Sequence, residues 1–189
     1  MTTATKAAPA KKAVAAKAAT AKSATTKATT KKAQAKPQSR AAKPMEATSL
    51  LRADHKLVND LFDEYEKTKA AGKKKELVAK ICLELSVHAQ VEEEIFYPAV
   101  KQALKDKELI PEATVEHATL KLLIAQVEGV EPDGEMFDAK IKVMSEYVKH
   151  HVKEEQNEIF PKAKASKLDM QALGEKIAAR KAELLSGNA

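Results

Sequence analysis

Apolar residues recur at intervals of three and four residues along four long segments of the chain. That spacing places them on one face of a helix, whereas no stretch shows the sustained alternation typical of a strand. The predicted helices cover residues 48–69, 73–104, 111–128 and 135–164. Because the connections between them are short, the pattern favours an all-α fold, an antiparallel up-down-up-down four-helix bundle.

The ends of these helices carry recognisable signals. Thr48 or Ser49 is available to cap the first helix, and Pro111 suits the first turn of the third. A further helix over residues 168–185 is expected to pack outside the bundle. The sequence therefore predicts three parts: a tail over residues 1–45, a bundle over 46–165 and a C-terminal helix over 166–189.

Two stretches of the chain repeat each other. His88 is followed by Glu92 and then Pro98, and His151 is followed by Glu155 and Pro161, at the same spacings of four and ten residues. A His and a Glu four apart lie on one helix face, one turn above the other, so they can bind one metal ion together. Each Pro is expected to kink or end its helix at the same place in both copies.

Two further histidines fall on the inner faces of the remaining helices. His55 lies three residues before Val58, and His117 lies three residues before Leu120. Four inward histidines on four helices, with two carboxylates one turn from two of them, are hard to explain as core packing. Imidazoles and carboxylates without thiolates suit iron, manganese or zinc, and bundle cores are established places for two-metal carboxylate sites.

These motifs, taken in order, resemble the hemerythrin-like (HHE cation-binding) domain over residues 48–165. The resemblance implies a four-helix bundle that holds two iron ions in an oxo- or hydroxo-bridged di-iron centre. It implies that Glu92 and Glu155 bridge the two ions. The implied metal ligands are His55, His88, Glu92, His117, His151 and Glu155.

The chain departs from the oxygen-carrying hemerythrins at two positions. It has Lys121 where they have a further His, and Glu155 four residues after His151 where they have an Asp at five. The resemblance then implies one imidazole fewer, which leaves a position for water, oxygen, nitric oxide, peroxide or a protein ligand. We expect a protein that binds or senses oxygen or related molecules, or that handles iron under oxidative or nitrosative stress.

Several assignments at this site stay open in the sequence. Glu154 competes with Glu155 as a ligand, and the repeat favours Glu155. His150 is rotated by about 100° from His151, which places it toward the surface or beside the ligands. Tyr147, one turn before His151, either lines the metal pocket or packs in the core. No residue identifies itself as a proton donor, so we expect binding or sensing, with turnover of peroxide or nitric oxide as the enzymatic alternative.

Charge is divided unequally along the chain. Residues 1–44 contain ten Lys, one Arg and no acid, a charge of +11, so the remaining residues carry −5 of the total of +6. The tail has no aromatic residue, and apart from Met1, Val14 is its only large apolar side chain before Met45. It is predicted to be disordered and to associate non-specifically with DNA or RNA, with a purely solvating tail or another acidic partner as alternatives.

The remaining features bear on the compartment. Cys82, the single Cys, excludes a disulfide within the chain and suits a reducing compartment. Its position favours a small buried apolar side chain over a redox thiol. No apolar run is long enough for a membrane span, and the N-terminus lacks the apolar segment of a secretory signal. We predict a cytoplasmic protein, with an organellar transit peptide as the alternative for the Lys-rich leader.

Overall fold

The structure, a computed structural model, describes residues 45–105 and 108–187. Helix α1 spans Ala47–Lys67, α3 spans Leu109–Ala125 and α5 spans Met170–Gly187. Helices α2 and α4 are each continuous over three segments. These are Ala71–Val91, Glu92–Phe96 and Tyr97–Leu104 for α2, and Glu135–Glu154, Glu155–Ile159 and Phe160–Ala165 for α4.

The predicted all-α bundle with an additional C-terminal helix is confirmed. The described residues contain no strand, and every predicted helix is present with its ends within three residues of the expected positions. The predicted disordered tail lies outside the described residues apart from Met45. Cys82 is fully buried, and burial raises the pKa of its thiol to about 12, as expected of a small apolar core residue.

Two apolar cores fill the bundle, one at each end. Core A is formed by buried residues at positions 58–65 of α1, 77–85 of α2, 120–127 of α3 and 137–152 of α4. Core B is formed at positions 47–51, 91–100, 110–113 and 159–163 of the same helices and 173–177 of α5. Along the chain α1 and α3 pass from core B to core A, and α2 and α4 pass back. Neighbouring helices are therefore antiparallel, and a layer between the cores crosses all four.

Pro98 and Pro161 do not end their helices. Of the two expected outcomes, a kink or a helix end, the helix end is therefore wrong. A π-helical turn precedes each proline, closed by hydrogen bonds from the Tyr97 amide to the Glu92 carbonyl and from the Phe160 amide to the Glu155 carbonyl. A proline lacks a backbone donor, and its ring clashes with the carbonyl four residues earlier. The wider turn moves that carbonyl away, so both helices continue into core B.

The first helix begins with a cap that differs from the prediction. Glu46, rather than Thr48 or Ser49, is the N-cap residue, and its carboxylate accepts a hydrogen bond of 3.1 Å from the Thr48 amide. The hydroxyls of Thr48 and Ser49 also donate to this carboxylate, at 2.8 and 2.6 Å. Lys164 of α4 lies 2.9 Å from it, so the cap ties α1 to the end of the fourth helix.

The fifth helix closes the core B end of the bundle. It packs against α1 and α2, with Leu173 and Ile177 buried in core B. Gly174 makes this approach possible, because a Cβ atom there would lie 2.2 Å from the Met45 carbonyl oxygen and 2.8 Å from the Ala47 nitrogen. Helix α5 lies outside the four-helix bundle, as the sequence predicts.

Candidate metal centre

The structure brings all six predicted ligand residues together in the layer between the two cores. Each is buried, and Glu92 and Glu155 have no exposed surface. The histidines form two pairs that meet through their inner ring nitrogens. Nε2 of His55 lies 2.9 Å from Nε2 of His88, and Nε2 of His117 lies 3.1 Å from Nε2 of His151.

Each carboxylate lies between one histidine of each pair. Oε2 of Glu92 lies 3.2 Å from Nε2 of His88 and 3.4 Å from Nε2 of His117. Oε2 of Glu155 lies 3.1 Å from Nε2 of His55 and 3.7 Å from Nε2 of His151. Donor atoms that share an ion at about 2.1 Å and near right angles are roughly 3 Å apart. The geometry therefore suits two neighbouring ions.

The donor atoms separate into two groups of candidate ligands. His55, His88, Glu92 and Glu155 form one group, and Glu92, His117 and His151 form the other, with the ligand atoms of each group within 4.8 Å of one another. Glu92 belongs to both. The Oε1 atom of Glu92 is buried without a hydrogen-bond partner among the described residues. A buried carboxylate oxygen left in this way fits a metal ion, since burial without a partner is costly.

Three of the imidazoles are held from behind by carboxylates. Nδ1 of His151 lies 2.6 Å from Glu116, and Nδ1 of His117 lies 3.1 Å from Glu93. Nδ1 of His88 lies 3.5 Å from Asp54. Because a carboxylate only accepts, each of these contacts favours a proton on Nδ1, so that Nε2 is the nitrogen that faces the other candidate ligands.

His55 is held differently, by an amide. The side-chain nitrogen of Gln156 lies 3.0 Å from Nδ1 of His55, while its oxygen accepts a 2.7 Å hydrogen bond from Arg52. In this orientation the amide donates to Nδ1, and Nε2 carries the proton that faces Glu155. For His55 to bind a metal ion through Nε2, its proton would have to sit on Nδ1, where the Gln156 amide in this orientation cannot accept it.

The two halves of the site repeat each other in space. Asp54 and Glu116 each precede a histidine in the chain and each support the histidine of the next helix. Glu93 in α2 and Gln156 in α4 each follow a glutamate of the centre in the chain. They occupy matching positions behind the histidines of α3 and α1. The internal repeat of the sequence is thus a two-fold repeat of the site, with a carboxylate replaced by an amide in one half.

The two histidines of each pair differ in the direction of their pKa shifts. Burial and its partner His88 lower the pKa of His55 to about 4, and burial and His151 lower the pKa of His117 to about 3. Burial opposes protonation of His88 as well, but Glu92 and Asp54 outweigh it and raise its pKa to about 10. The pKa of His151 is also raised, by Glu116 and Glu155 against the effect of burial.

The two buried carboxylates differ in the same way. Burial and the charge of Glu155 raise the pKa of Glu92 to about 7. Burial also acts on Glu155, but hydrogen bonding from His55 and the positive charge around it lower its pKa. Two carboxylates this close in a dry site repel each other, and one or two cations would neutralise both.

Comparison with known proteins decides the family. The model of the hemerythrin HHE cation binding domain matches residues 46–163, more than half of the chain. This chain belongs to that family. The layer of four histidines and two glutamates is accordingly the candidate cation-binding site of this HHE domain.

Two known proteins are similar to this HHE-domain protein, one in sequence and one in structure. A DNA nickase of Nostoc sp. (strain PCC 7120 / SAG 25.82 / UTEX 2576) is 28% identical over 123 residues, which cover 65% of this chain and 35% of the nickase. The chain thus spans about a third of that relative's length. The crystal structure of an HHE cation binding domain-containing protein from Mycobacterium kansasii covers 76% of this chain and 89% of its own, with 21% identity and a TM-score of 0.66. That similarity shows a shared fold.

Residues around the HHE site resolve the alternatives left open by the sequence. Glu155 faces inward, whereas Glu154 points away and lies 3.2 Å from the exposed imidazole of His150. Lys121, which stands where the oxygen-carrying hemerythrins have a His, donates hydrogen bonds of 2.7 Å to both oxygens of Glu93. Tyr147 is only half-buried, on the edge of α4.

The tyrosine of this HHE site is Tyr97, which the sequence reasoning missed. Its hydroxyl oxygen lies 2.9 Å from Oε1 of Glu155, 3.2 Å from Nε2 of His117 and 3.4 Å from Oε2 of Glu92. Burial, followed by the charges of the two carboxylates, raises its pKa well above the ordinary value. A comparison of the two repeats carries the signal, because Tyr97 precedes its Pro where Phe160 precedes the other.

A small cavity of about 10 Å³ opens on the core A side of the centre. All four histidines line it together with apolar side chains, and this volume is about the minimum for one water-sized molecule. Its other lining residues are Asp54, Val58, Leu85, Leu120, Val148 and Val152. The arrangement gives a small uncharged molecule a place beside the metal site. Within residues 45–105 and 108–187, no helix is long and apolar enough to cross a membrane.

Proposed function

We propose that this HHE-domain protein holds two iron ions in a di-iron centre and binds or senses oxygen or a related small molecule there. The observation that carries the proposal is the pairing of donors, with two histidine pairs at 2.9 and 3.1 Å and a carboxylate between them on each side. The proposed ligands are His55, His88, Glu92, His117, His151 and Glu155. The bundle over residues 46–165 would be the metal domain.

The ligand chemistry supports iron, and the cavity supports a small ligand. Imidazole and carboxylate donors suit iron in both common oxidation states, and no thiolate competes for softer metals, since Cys82 lies in core A. The cavity beside the histidines is lined mainly by apolar side chains, and its volume of about 10 Å³ is close to the minimum for one water-sized molecule. Oxygen and nitric oxide are uncharged, so they suit this lining better than an anion does, and the lining would have to widen slightly to admit a diatomic molecule. Peroxide is the polar alternative at the same site.

The first test is metal content together with the visible spectrum. Protein loaded anaerobically with ferrous iron and then exposed to air is expected to retain two irons per chain and to show oxo-bridge charge-transfer bands. Parallel loading with zinc and manganese distinguishes an iron site from a general divalent site. Retention of well below two irons per chain contradicts the dinuclear proposal. Addition of nitric oxide to the ferrous protein then tests the small ligand through its spectrum.

A second function, association with nucleic acid through residues 1–44, is favoured by charge. This segment carries +11 without an acid, and one relative is named a DNA nickase, although the match covers only 35% of that protein. Lysines without aromatic residues attract phosphate but cannot stack on bases, so binding would be non-specific and weakened by salt. Deletion of residues 1–44 is expected to abolish DNA retention at low salt. Unchanged retention would eliminate this function.

A further inference from the structure

The hydroxyl of Tyr97 is surrounded by proposed ligand atoms. Its oxygen lies within 3.4 Å of one atom each from Glu92, His117 and Glu155, and the side chain is buried at 2% exposure. A buried phenol needs one partner to satisfy its donor, and Glu155 at 2.9 Å supplies that partner. The phenol oxygen can also accept a hydrogen bond from Nε2 of His117, but an ionised Glu92 has no proton to give, so the third contact brings two acceptor oxygens together.

These distances match the spacing of ligands around one ion. The histidine nitrogens of the centre are 2.9 and 3.1 Å apart, and the phenol oxygen lies at 2.9 to 3.4 Å from its three neighbours. Atoms bound to a common ion at about 2.1 Å and at right angles fall roughly 3 Å apart. The oxygen of Tyr97 therefore occupies a position that belongs to the same coordination shell as His117.

Only one half of the centre has a phenol oxygen beside its candidate ligands. Among the His and Glu donors, one group has four members and the group of Glu92, His117 and His151 has three, with Oε2 of Glu155 3.7 Å from Nε2 of His151. Tyr97 lies on the side of the smaller group, where its ring packs 5.2 Å from the ring of His117. At the matching position in the other half, Phe160 stacks on His55 at 5.8 Å with no oxygen to offer.

We propose that Tyr97 is a seventh protein ligand, binding through its phenol oxygen to the ion held by His117, His151 and Glu92. The inference rests on the proposed iron centre. On binding, the oxygen–iron bond replaces the O–H bond, and the proton passes to solvent. Tyrosine oxygen is an established iron ligand in other protein settings. Its presence on one ion alone makes the two ions chemically distinct.

The test is the ferric protein compared with two tyrosine variants. Tyr97→Phe makes this half of the centre match the Phe160 half, and Tyr147→Phe removes a half-buried tyrosine at the edge of α4. Wild type and Tyr147→Phe are expected to show a phenolate-to-iron charge-transfer band, with tyrosinate vibrations in the resonance Raman spectrum. Tyr97→Phe is expected to lose both, whether it retains two irons or releases one.

Each outcome bears on a separate claim. Wild-type protein with two ferric ions and no tyrosinate vibrations overturns the role of Tyr97 and leaves the di-iron proposal intact. The same holds if Tyr97→Phe keeps the vibrations of the wild type. Protein that binds no iron overturns the proposed function, and the ligand role of Tyr97 falls with it. Because the wild-type spectrum alone is decisive, the test does not depend on the variant folding.

Discussion

At the scale of single residues, the direction of an imidazole decides whether it belongs to the centre. His88 and His151 are buried with Nε2 facing the other ligands, whereas the neighbouring His150 is exposed and turned toward Glu154. We expect His88→Ala and His151→Ala to weaken metal binding by at least about tenfold, since replacing even the groups behind a ligand costs about 10–100-fold. His150→Ala should bind metal as the wild type does.

The measurement is metal per chain after anaerobic loading and desalting, with the dissociation constant from a competing chelator. His150→Ala is the matched control because it lies next to His151 in the same helix. Equal loss in the three variants would show that the inward direction of the imidazole does not select the ligands. Circular dichroism of each variant separates loss of metal from loss of the bundle.

Residue identity and helical spacing predicted the six converging side chains, because donors four apart share a helix face wherever the helix is regular. Tyr97 could not be found in this way. It lies five residues after Glu92, which is about 140° around a regular α-helix with 3.6 residues per turn. The π turn, closed by the hydrogen bond between these two residues, brings positions five apart nearly into line. The Pro signalled a disturbance in the helix, but its form depends on three-dimensional packing.

At the scale of helices, α5 reaches the metal centre from outside the part of the chain that the family model matches. Lys181 donates a 2.6 Å hydrogen bond to Asp54, which lies behind His88. Burial raises the pKa of Asp54, but the neighbouring His88 and the hydrogen bond from Lys181 outweigh it and keep this carboxyl charged. The additional helix therefore helps to hold a proposed ligand in place.

Lys181→Met retains the aliphatic stem of this side chain and removes the charge. We expect the free energy of unfolding to fall by about 1.5–3 kcal/mol, the range for hydrogen bonds to charged groups, because Asp54 loses its cationic partner. Metal affinity should fall as well, by up to about tenfold, since Asp54 then holds His88 less firmly. Urea unfolding and chelator competition measure the two effects.

Lys176→Met is the control for that substitution, because Lys176 is exposed on the same helix. It should leave stability and metal affinity close to those of the wild type. If Lys181→Met lowers stability while metal affinity stays unchanged, α5 stabilises the bundle without acting on the centre. Equal effects of both variants would mean that only the charge of the helix matters.

The N-cap of α1 provides a pH-dependent prediction. Although partial burial opposes ionisation, hydrogen bonds from Ser49, Lys164 and Thr48 lower the pKa of Glu46 from 4.5 to about 2. A pKa that is lower in the folded state gives stability that is complete above about pH 4.5 and is lost as the pH falls toward 2. Glu46→Gln should therefore cost about 1 kcal/mol at neutral pH, a value reduced for the partly exposed side chain.

Urea titrations of metal-free wild type and Glu46→Gln at several pH values between 7 and 2 measure this difference. Metal-free protein is required because acid also releases metal. The difference between the two proteins should shrink toward zero at the acid end of the series. A difference that stays constant with pH would show that the variant acts through packing rather than through the charge of the carboxylate.

Capping illustrates which part of the helix boundaries the sequence could predict. Periodicity located all five helices, but the cap went to Glu46 rather than to Thr48 or Ser49. Intrinsic preference favours the hydroxyl residues. Lys164, from the C-terminal end of α4, supports the glutamate instead, and a contact between positions so distant in sequence is set by the tertiary fold.

At the scale of the whole molecule, the bundle has two apolar cores separated by a polar layer. Four histidines and two glutamates interrupt the packing midway along every helix, and the cores on either side cannot close the gap. Without metal, the layer depends on shared protons between imidazoles and carboxylates. Such a layer is a cost to folding that a bound cation removes, so metal binding and stability should be linked.

Removal of metal is accordingly expected to lower the thermal stability of the entire bundle. At a free metal concentration about 100 times the dissociation constant, binding to the folded state alone adds about 2.7 kcal/mol. For a domain of this size that corresponds to a shift in Tm of roughly 5–10 °C. Differential scanning calorimetry of metal-free and metal-loaded protein measures the shift, with the double variant His88→Ala/His151→Ala as the control that metal should not stabilise. An unchanged Tm would mean that Glu92 and Glu155 are not buried without compensation, and that the two cores fold independently of the layer between them.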